Sequence, residues 1–338
     1  MAVKIEKFTS EDRGRGYRTV TRVKVGELVL KAQPFVHVLC NTERGNRCDF
    51  CLRSTESLLR CSSCKFSRYC NVKCQRSAWT CHKAECKSLK KVSPRIPPGS
   101  VRLMSRILYK LKDKSCESQT ITEFMSLQSH DTALTPEKKE QFSQLLFVLN
   151  QYVDEGTLPN DVSDLLCIFG RMTSNSFSVC DSEMKPIGVG IYPSASLLNH
   201  SCDPNCVAVF NGTDLCIRAV KPISVGDECV ISYIEMMSTT SERREHLQDQ
   251  YYFQCVCHAC KDIDKDNLKQ SIQCHTGGCN EPIVMKNNGF AACSKCGHQY
   301  DKTHHQIVSQ SVNVVKQALL KIEDAKKQQN ILFSVFSA

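Results

Sequence analysis

The sequence predicts an α+β fold in which a mostly β domain is split by two insertions, one zinc-bound and one helical. Short apolar runs between turn signals occupy residues 1–40 and 186–233, as expected for β-hairpins. The region 98–170 between them has the apolar period of helices. Eight closely spaced cysteine and histidine residues lie ahead of that region, and this density is typical of zinc sites.

Length and composition exclude several classes of protein. The chain has 338 residues, with 41% hydrophobic and 23% charged side chains, as in ordinary globular domains and unlike disordered, collagen-like or coiled-coil chains. No apolar run approaches the roughly 18 residues that span a bilayer. The first 16 residues contain no signal-peptide core. We therefore expect no membrane association and residence in the cytoplasm and nucleus.

The net charge of +9 and the 23 cysteines must be considered together. A long chain without a signal peptide favours reduced thiols or metal ligands over disulfides. Each zinc site with four thiolates contributes about −2, and each with three thiolates and one histidine about −1. Four such sites bring the charge down to about +2. A DNA-binding zinc protein is therefore the least favoured interpretation.

The prediction of β-strands in residues 1–40 and 186–233 rests on their apolar runs. In the first segment these are Val20 to Val25, Leu28 to Leu30 and Phe35 to Leu39. In the second they are Ile187 to Ile191, Val207 to Phe210, Leu215 to Val220 and Cys229 to Ile234. In the helical region, one apolar face comprises Val101, Leu103, Met104, Ile107, Leu108 and Leu111, and a second comprises Leu145, Leu146, Val148 and Leu149.

The densest cysteine cluster forms four ligand pairs. Two or three residues separate the ligands of each pair, so a tight turn or one helical turn can direct both ligands to the same ion. The pairs are Cys48 with Cys51, Cys61 with Cys64, Cys70 with Cys74, and His82 with Cys86. Eight ligands make two closed tetrahedral sites. Zinc would supply on the order of 10 kcal/mol per site to a segment too short to fold alone. Spacing leaves open whether the pairs combine sequentially or interleave.

Two further clusters follow. Cys255, Cys257 and Cys260 supply three ligands, so a closed site needs a fourth from elsewhere. Cys274, Cys279, Cys293 and Cys296, with an Asn287-Asn288-Gly289 turn signal between the pairs, predict a small zinc ribbon. The alternative is a surface loop with four reduced thiols. We interpret the other eight cysteines as core or half-buried thiols: Cys40, Cys81, Cys116, Cys167, Cys180, Cys206, Cys216 and Cys229.

Three short segments carry the polar groups suited to a ligand site. Arg13-Gly14-Arg15-Gly16 has glycines where a backbone can approach closely, although a hairpin turn explains it about as well. The segment from Asn199 to Cys206, NHSCDPNC, is unusually polar between strands. Tyr233 closes the last β run in Ile231-Ser232-Tyr233.

These features resemble a known family. The cluster at 48–86, with Gln75 and Trp79, resembles a MYND zinc finger, and the three short segments resemble the motifs of a SET domain. Their order resembles the SET and MYND (SMYD) family over roughly residues 1–262. The resemblance implies an N-terminal SET half at 1–47, the MYND finger at 48–86, a helical insert at 98–175, the C-terminal SET half at 176–235 and a zinc-bound post-SET segment at 236–262. We place the ribbon at 270–300 and the start of a helical, tetratricopeptide-like domain at 304–338, where the chain looks like a truncated product or isoform.

The resemblance also implies ligand sets for the zinc ions. In the finger, Cys48, Cys51, Cys70 and Cys74 would hold one ion, and Cys61, Cys64, His82 and Cys86 the other. Cys202 would complete the third site with Cys255, Cys257 and Cys260. The expected cofactors are therefore three structural zinc ions, a fourth in the ribbon, and S-adenosylmethionine.

The activity implied is protein-lysine N-methylation of histone or non-histone proteins, which would make the chain a monomeric chromatin regulator. Tyr233 would be the catalytic tyrosine. The residues expected to contact S-adenosylmethionine are Arg13, Gly14, Arg15, His130, Asn175, Asn199, His200, Tyr233, Tyr251 and Phe253. Methyl transfer is an in-line displacement that depends mainly on positioning, so no acid–base pair is required. The competing hypothesis is an adaptor with an inactive SET block, whose MYND finger binds proline-rich partners.

Overall fold

The computed structural model describes residues 4–113, 118–286 and 289–329. Cys116, the turn residues Asn287 and Asn288, and the apolar run 331–333 lie outside these described residues. The described chain forms two compact units. The first comprises residues 4–199 and 204–231, and the second comprises residues 200–203 and 232–329.

The first unit contains most of the strands. They are β1 (Ile5–Ser10), β2 (Gly14–Thr19), β3 (Leu28–Ala32), β4 (Val36–Leu39), β5 (Leu59–Arg60), β6 (Arg68–Tyr69), β7 (Ser176–Cys180), β8 (Pro186–Ile191), β9 (Asn199–His200, where the chain passes into the second unit), β10 (Cys206–Asn211), β11 (Asp214–Ala219) and β12 (Glu228–Ile231). Small antiparallel sheets result, with the orders β1-β2-β12, β10-β11-β3 and β4-β8-β7. Because β8 is a central strand, its residues after Pro186 are buried throughout.

The predicted run from Val20 to Val25 is not a strand, and that expectation was wrong. Only Val23 pairs, through an isolated bridge to Ile223, and Gly26 turns the chain with a positive φ of 83°. Val20 and Val25 are exposed. A run that pairs at a single residue does not form a ladder, so its composition alone misled the prediction.

Five helices also belong to the first unit: α1 (Val72–Val92), α2 (Gly99–Lys112), α3 (Ser118–Met125), α4 (Pro136–Tyr152) and α5 (Val162–Ser174). Three of them begin at side-chain caps, provided by Asn71, Thr135 and Asp161, as their polar side chains favour. Helix α2 is buried over its first ten residues. The predicted helical region is therefore confirmed, and α2 forms its core.

The second unit is smaller and has its own helices and strands: α6 (Thr240–Tyr251), α7 (Ile263–Lys269), β13 (Ser271–Gln273), β14 (Pro282–Lys286), β15 (Gly289–Phe290) and α8 (Lys302–Gln329). Helix α6 begins with a capping box in which Thr239 and Glu242 exchange hydrogen bonds. Strands β13, β14 and β15 form an antiparallel sheet. The apolar side chains Val312, Val315, Leu319 and Ile322 of α8 are exposed.

The α+β class and the zinc-ligand clusters predicted from the sequence are thus present in the fold. Of the seven described cysteines expected to be core or half-buried thiols, Cys81 departs from that expectation because it lies exposed on α1. None of the helices in the described ranges is both long and apolar enough to cross a membrane.

Candidate active site and metal centres

The first unit brings the eight finger ligands together in two interleaved sets. One set is Cys48, Cys51, Cys70 and Cys74, and the other is Cys61, Cys64, His82 and Cys86. Within each set the ligand atoms lie within 4.8 Å of one another. Sulfurs bound at about 2.3 Å to one tetrahedral ion lie about 3.8 Å apart. The Sγ atoms of Cys61 and Cys86 are 3.8 Å apart, as are those of Cys51 and Cys70, so both sets fit zinc.

A buried charged network lies behind the second finger set. The Nε2 atom of His82 faces the Cys64 sulfur at 3.7 Å, and its Nδ1 atom lies 4.0 Å from a Glu85 oxygen. Arg102 and Arg106 of α2 donate to the same carboxylate at 2.7 Å and 2.5 Å. Burial alone would raise the pKa of Glu85, but the two arginine charges outweigh it and hold the pKa well below its usual value. This network was not predicted from the sequence, because the residues of α2 show only the apolar period of a helix.

The second unit brings Cys202 together with Cys255, Cys257 and Cys260. The Cys202 sulfur lies 3.9 Å from that of Cys255 and 3.5 Å from that of Cys260, again at zinc-ligand spacing. Cys202 thus occupies the place of the fourth ligand that the triplet lacked. Arg243 of α6 donates to the Cys260 sulfur at 3.7 Å, which would partly offset the negative charge of four thiolates.

The fourth cluster comprises Cys274, Cys279, Cys293 and Cys296, also in the second unit. The Cys274–Cys296 and Cys279–Cys293 sulfur pairs are 3.7 Å and 3.6 Å apart. Tyr300 supports the site because its hydroxyl accepts a 3.1 Å hydrogen bond from the backbone N–H of His275. The four sulfurs converge as a ribbon requires, which the alternative of a loose loop would not explain.

Four predicted site residues of the second unit form one set of rings, here called the aromatic set: His200, Tyr233, Tyr251 and Phe253. The Tyr233 ring centroid lies 4.8 Å from that of Tyr251 and 5.3 Å from that of His200. Phe253 lies 5.9 Å from His200 and edge-on to Tyr233 at 6.4 Å. Burial raises the pKa of Tyr251 to about 12, so its hydroxyl stays neutral. Its hydroxyl donates to the Tyr233 carbonyl oxygen at 3.4 Å.

His200 connects this set to the third cysteine cluster. Its Nδ1 atom accepts a hydrogen bond from the Tyr233 backbone N–H at 3.0 Å, and its Nε2 atom lies 3.2 Å from the Cys202 sulfur. Since Nδ1 is the acceptor, the imidazole hydrogen is on Nε2 and is donated to the sulfur. The side chain of His200 is therefore engaged within the protein.

The other predicted cofactor contacts lie in the first unit. They are Arg13, Gly14, Arg15, His130, Asn175 and Asn199, here called the cofactor lobe. Gly14 to Gly16 already belong to β2, where they pair with residues 8–10 of β1, so only the residues before them turn the chain. The Arg15 guanidinium contacts the end of α3, with Nη1 3.2 Å from the Ser126 hydroxyl.

A cavity of about 140 Å³ adjoins Arg15 in the first unit. Strand β1 contributes Lys7, Phe8 and Thr9 to its wall, and Glu123 of α3 and Ser126, the residue after α3, line another side. The cavity therefore combines cationic, anionic and apolar groups beside the predicted cofactor lobe.

His130 and Asn175 lie on segments that contact each other. The Asn175 Nδ2 atom donates to the Gln128 carbonyl at 3.2 Å and to the Arg171 carbonyl at 2.9 Å. Asn175 therefore ends α5 and holds the loop that carries His130. A Cβ atom on Gly170 would lie 1.9 Å from the Ser129 carbonyl oxygen, so only glycine allows this loop to pack on α5. Burial lowers the pKa of His130.

Asn199 contacts residues that sequence analysis did not single out. Its Nδ2 atom donates to Glu228 Oε1 at 2.8 Å and to the Arg15 carbonyl oxygen at 3.2 Å. Glu228 also accepts from Arg13 at 2.5 Å. No sequence signal marked Glu228, because one acidic residue at the start of a strand is common on exposed surfaces.

Comparison with known proteins agrees with this fold. Residues 14–234 match the SET domain family. The human histone-lysine N-methyltransferase SMYD3 is 46% identical over 270 residues, covering 78% of this chain and 63% of that protein. The N-lysine methyltransferase SMYD2-A of Xenopus laevis is 36% identical over 272 residues, covering 80% and 63%. The chain thus spans about 63% of the length of these curated relatives.

A solved structure, Rubisco LSMT bound to AdoMet, matches 80% of this chain and 54% of that chain, with 12% identity and a TM-score of 0.43, a likeness too weak to support an assignment. The match over residues 14–234 defines a SET domain protein. The finger between its two halves and the similarity to SMYD3 and SMYD2 narrow the class, and the chain belongs to the SET and MYND (SMYD) family.

Proposed function

We propose that this protein is an S-adenosylmethionine-dependent protein-lysine N-methyltransferase. The observation that carries the proposal is the aromatic set, in which Tyr233 is surrounded by His200, Tyr251 and Phe253. Asn199, the residue before His200, belongs to the cofactor lobe. The names of the relatives, histone-lysine and N-lysine methyltransferases, support the same activity.

The residues of the chain would act mainly by binding and orienting. A lysine amine must be neutral before it can attack, and an apolar aromatic surrounding lowers the pKa of an amine. The faces of Tyr233, Tyr251 and Phe253 would also stabilise cationic methyl-lysine by about 0.5–2 kcal/mol. The Tyr233 hydroxyl would orient the amine. The proton lost by the amine would leave to solvent.

The cofactor lobe has groups suited to S-adenosylmethionine. When bound, that molecule supplies a methyl group on a sulfonium sulfur, and the new C–N bond forms as the C–S bond breaks. Arg13 would attract its carboxylate, and Gly14 and Arg15 would offer backbone groups. Asn199, whose two Nδ2 hydrogens are engaged, would offer the acceptor Oδ1.

We further propose that all four cysteine clusters hold structural zinc. The sulfur spacings support this, and each cluster supplies four protein ligands, which leaves no open position for a substrate. Elemental analysis tests the count: four zinc atoms per chain are expected, and three would remove the ribbon site.

The substrates we propose are lysines of histone and non-histone proteins, and the relative named as a histone-lysine N-methyltransferase supports the first of these. We also propose that the protein acts as a monomer in the cytoplasm and nucleus and regulates chromatin. The finger would bind proline-rich peptides. Trp79 supports that last proposal because 47% of its surface is exposed on α1, and exposed aromatic side chains are usual in such grooves.

The deciding experiment follows a labelled methyl group from S-adenosylmethionine to a mixture of histones and lysate proteins. Wild type is expected to label lysine, and Tyr233→Phe to lose most of the transfer. Tyr109→Phe is the matched control, since it removes a tyrosine hydroxyl of the helical insert, which bonds Ser88 of α1. Failure of zinc-loaded wild type to bind S-adenosylmethionine would favour the adaptor hypothesis, and equal labelling by Tyr233→Phe would contradict the role of the tyrosine.

A further inference from the structure

The carboxylate of Glu228 lies between two predicted cofactor contacts of the first unit. Its Oε2 atom accepts from Arg13 Nη1 at 2.5 Å, and its Oε1 atom accepts from Asn199 Nδ2 at 2.8 Å. Arg13 is 41% exposed, whereas the Glu228 side chain is only 19% exposed. The carboxylate is thus mostly buried, and it connects the Arg13–Gly16 segment to the segment that begins at Asn199.

The Asn199 amide has one orientation in this arrangement. An amide nitrogen has two hydrogens, and both are used, one by Glu228 and one by the Arg15 carbonyl. Rotating the amide by 180° would place its oxygen against a carboxylate and a carbonyl, which repel it. Glu228 therefore determines that Oδ1 is the polar atom that Asn199 can offer to a ligand.

The backbone on both sides is fitted closely to this pair. A Cβ atom on Gly16 would lie 2.9 Å from Phe8 Cε1, 3.0 Å from Asn199 Nδ2 and 3.0 Å from Glu228 Oε1. A side chain at this position would crowd all three groups, so the second glycine of the Arg13–Gly16 segment makes room for the Phe8 ring, the amide and the carboxylate. This accounts for that glycine without any need for unusual backbone angles.

Glu228 is itself held in place by a neighbouring amide. The Asn205 Nδ2 atom donates to the Glu228 carbonyl oxygen at 2.8 Å, and the Asn205 Oδ1 atom accepts from the Val230 N–H at 2.9 Å. These two bonds fix the start of β12, so the carboxylate comes from a rigid strand. Rigid support of this kind is what precise positioning of a ligand contact requires.

We propose that Glu228 is a positioning residue, which holds the Asn199 amide and the Arg13 guanidinium in the orientation that binds S-adenosylmethionine. The inference rests on the proposed function, in which Asn199 and Arg13 contact that molecule. Glu228 acts through these two side chains, so its loss weakens cofactor binding and leaves the chemistry of the bound complex almost intact.

The experiment measures the dissociation constant of S-adenosylhomocysteine by calorimetry, together with KM for S-adenosylmethionine and kcat. Glu228→Ala is expected to raise the dissociation constant and KM about 10- to 100-fold, the loss typical of a charge-assisted hydrogen bond. The value of kcat at saturating cofactor stays within about threefold. Glu228→Gln, which keeps an acceptor for Asn199 but not the charge for Arg13, has a smaller effect.

A double-mutant cycle separates positioning from a general structural role. In an Asn199→Ala background, Glu228→Ala is expected to add much less than in wild type, because one partner is already gone. Glu6→Gln is the control, since it weakens an exposed pair with Arg18 in the same sheet and leaves cofactor binding unchanged. Thermal unfolding of each variant confirms that it is folded.

Each outcome is decisive. Unchanged binding in Glu228→Ala, or full additivity with Asn199→Ala, overturns the positioning role while the wild-type activity still stands. If Glu228→Ala does not fold, the near-isosteric Glu228→Gln carries the test through the same cycle. Absence of binding by wild type contradicts the proposed function itself, and the role of Glu228 with it.

Discussion

The imidazole of His200 joins the backbone of Tyr233 at 3.0 Å on one side and lies 3.2 Å from the Cys202 sulfur on the other. The proposed catalytic tyrosine is therefore held by a group that also contacts a ligand of the third cysteine cluster. Groups just outside a metal site orient the ligands, and their loss typically costs 10- to 100-fold in metal affinity or activity. A zinc ion at this cluster would act on the tyrosine through one side chain.

The first prediction concerns this connection. Cys260→Ser removes a sulfur of the third cluster without altering His200 or Tyr233. We expect the variant to lose one zinc atom per chain and at least about tenfold in methyl transfer, because Cys202 is no longer held in place. Elemental analysis and the labelled-methyl assay measure the two effects.

Cys296→Ser in the fourth cluster is the matched control. It should also lose one zinc atom, yet it should keep methyl transfer within about twofold, since the buried cysteines of that cluster pack in a different hydrophobic cluster from the one that Tyr233 contacts. Full activity in zinc-depleted Cys260→Ser would contradict the coupling.

A second prediction concerns the carboxylate behind the finger. Glu85 has no exposed surface and bonds Arg102 and Arg106, which are also buried. Glu85→Ala leaves the buried Arg106 guanidinium without its carboxylate and Arg102 with Asp49 alone at 3.3 Å, and removing one member of such a network costs about 3–5 kcal/mol. Urea unfolding should show that loss in the free energy of unfolding.

Glu27→Gln provides the comparison, since its ion pair with Lys4 lies at the surface, with 30% and 38% of the two side chains exposed, and surface ion pairs contribute little to stability. Arg106→Ala and Glu85→Ala combined should destabilise less than the sum of the two single changes. Equal effects of Glu85→Ala and Glu27→Gln would show that the buried network is not important for stability.

The close packing around Gly16 makes a third test. Gly16→Ala should raise KM for S-adenosylmethionine at least about tenfold, because its methyl group meets Phe8 at 2.9 Å and Asn199 and Glu228 at 3.0 Å. Gly26, which is not a predicted cofactor contact, has a φ of 83° with open space around its Cβ position. Gly26→Ala should therefore lower stability by about 1 kcal/mol with little change in KM. Similar KM values for both variants would contradict the close-approach explanation of Gly16.

Sequence reasoning could predict features that depend on neighbours in the chain. Ligand pairs with two or three residues between them indicated zinc, and apolar periods indicated the helices around α2. The sequence did not allow us to predict which residues far apart in the chain come together in the fold. Spacing alone could not decide how the finger pairs combine, and the Cys202 assignment came only from resemblance. Glu228 and Arg13 are 215 residues apart, and Glu228 has no local pattern that distinguishes it from a solvent-facing residue.

The last prediction concerns pH. Burial and then the charge of Arg106 lower the pKa of His37 to about 3, and its Nε2 atom bonds the Phe50 carbonyl at 2.9 Å. In the unfolded chain a histidine has a pKa of about 6.5. Between these values the unfolded state binds one more proton, so stability falls as pH decreases from about 6.5 toward 3 and is unaffected by this group above that window.

The size of the effect can be isolated by comparison with His37→Gln, whose amide can still donate to Phe50. Wild type should lose about 1.4 kcal/mol more per pH unit than the variant once pH is well below 6.5. Denaturant unfolding at pH 7.5, 6.0 and 5.0 with constant zinc measures the difference. Protonation of zinc ligands affects both proteins alike and cancels in the comparison. Parallel pH profiles for the two proteins would mean that His37 takes up its proton in the folded state as readily as in the unfolded state.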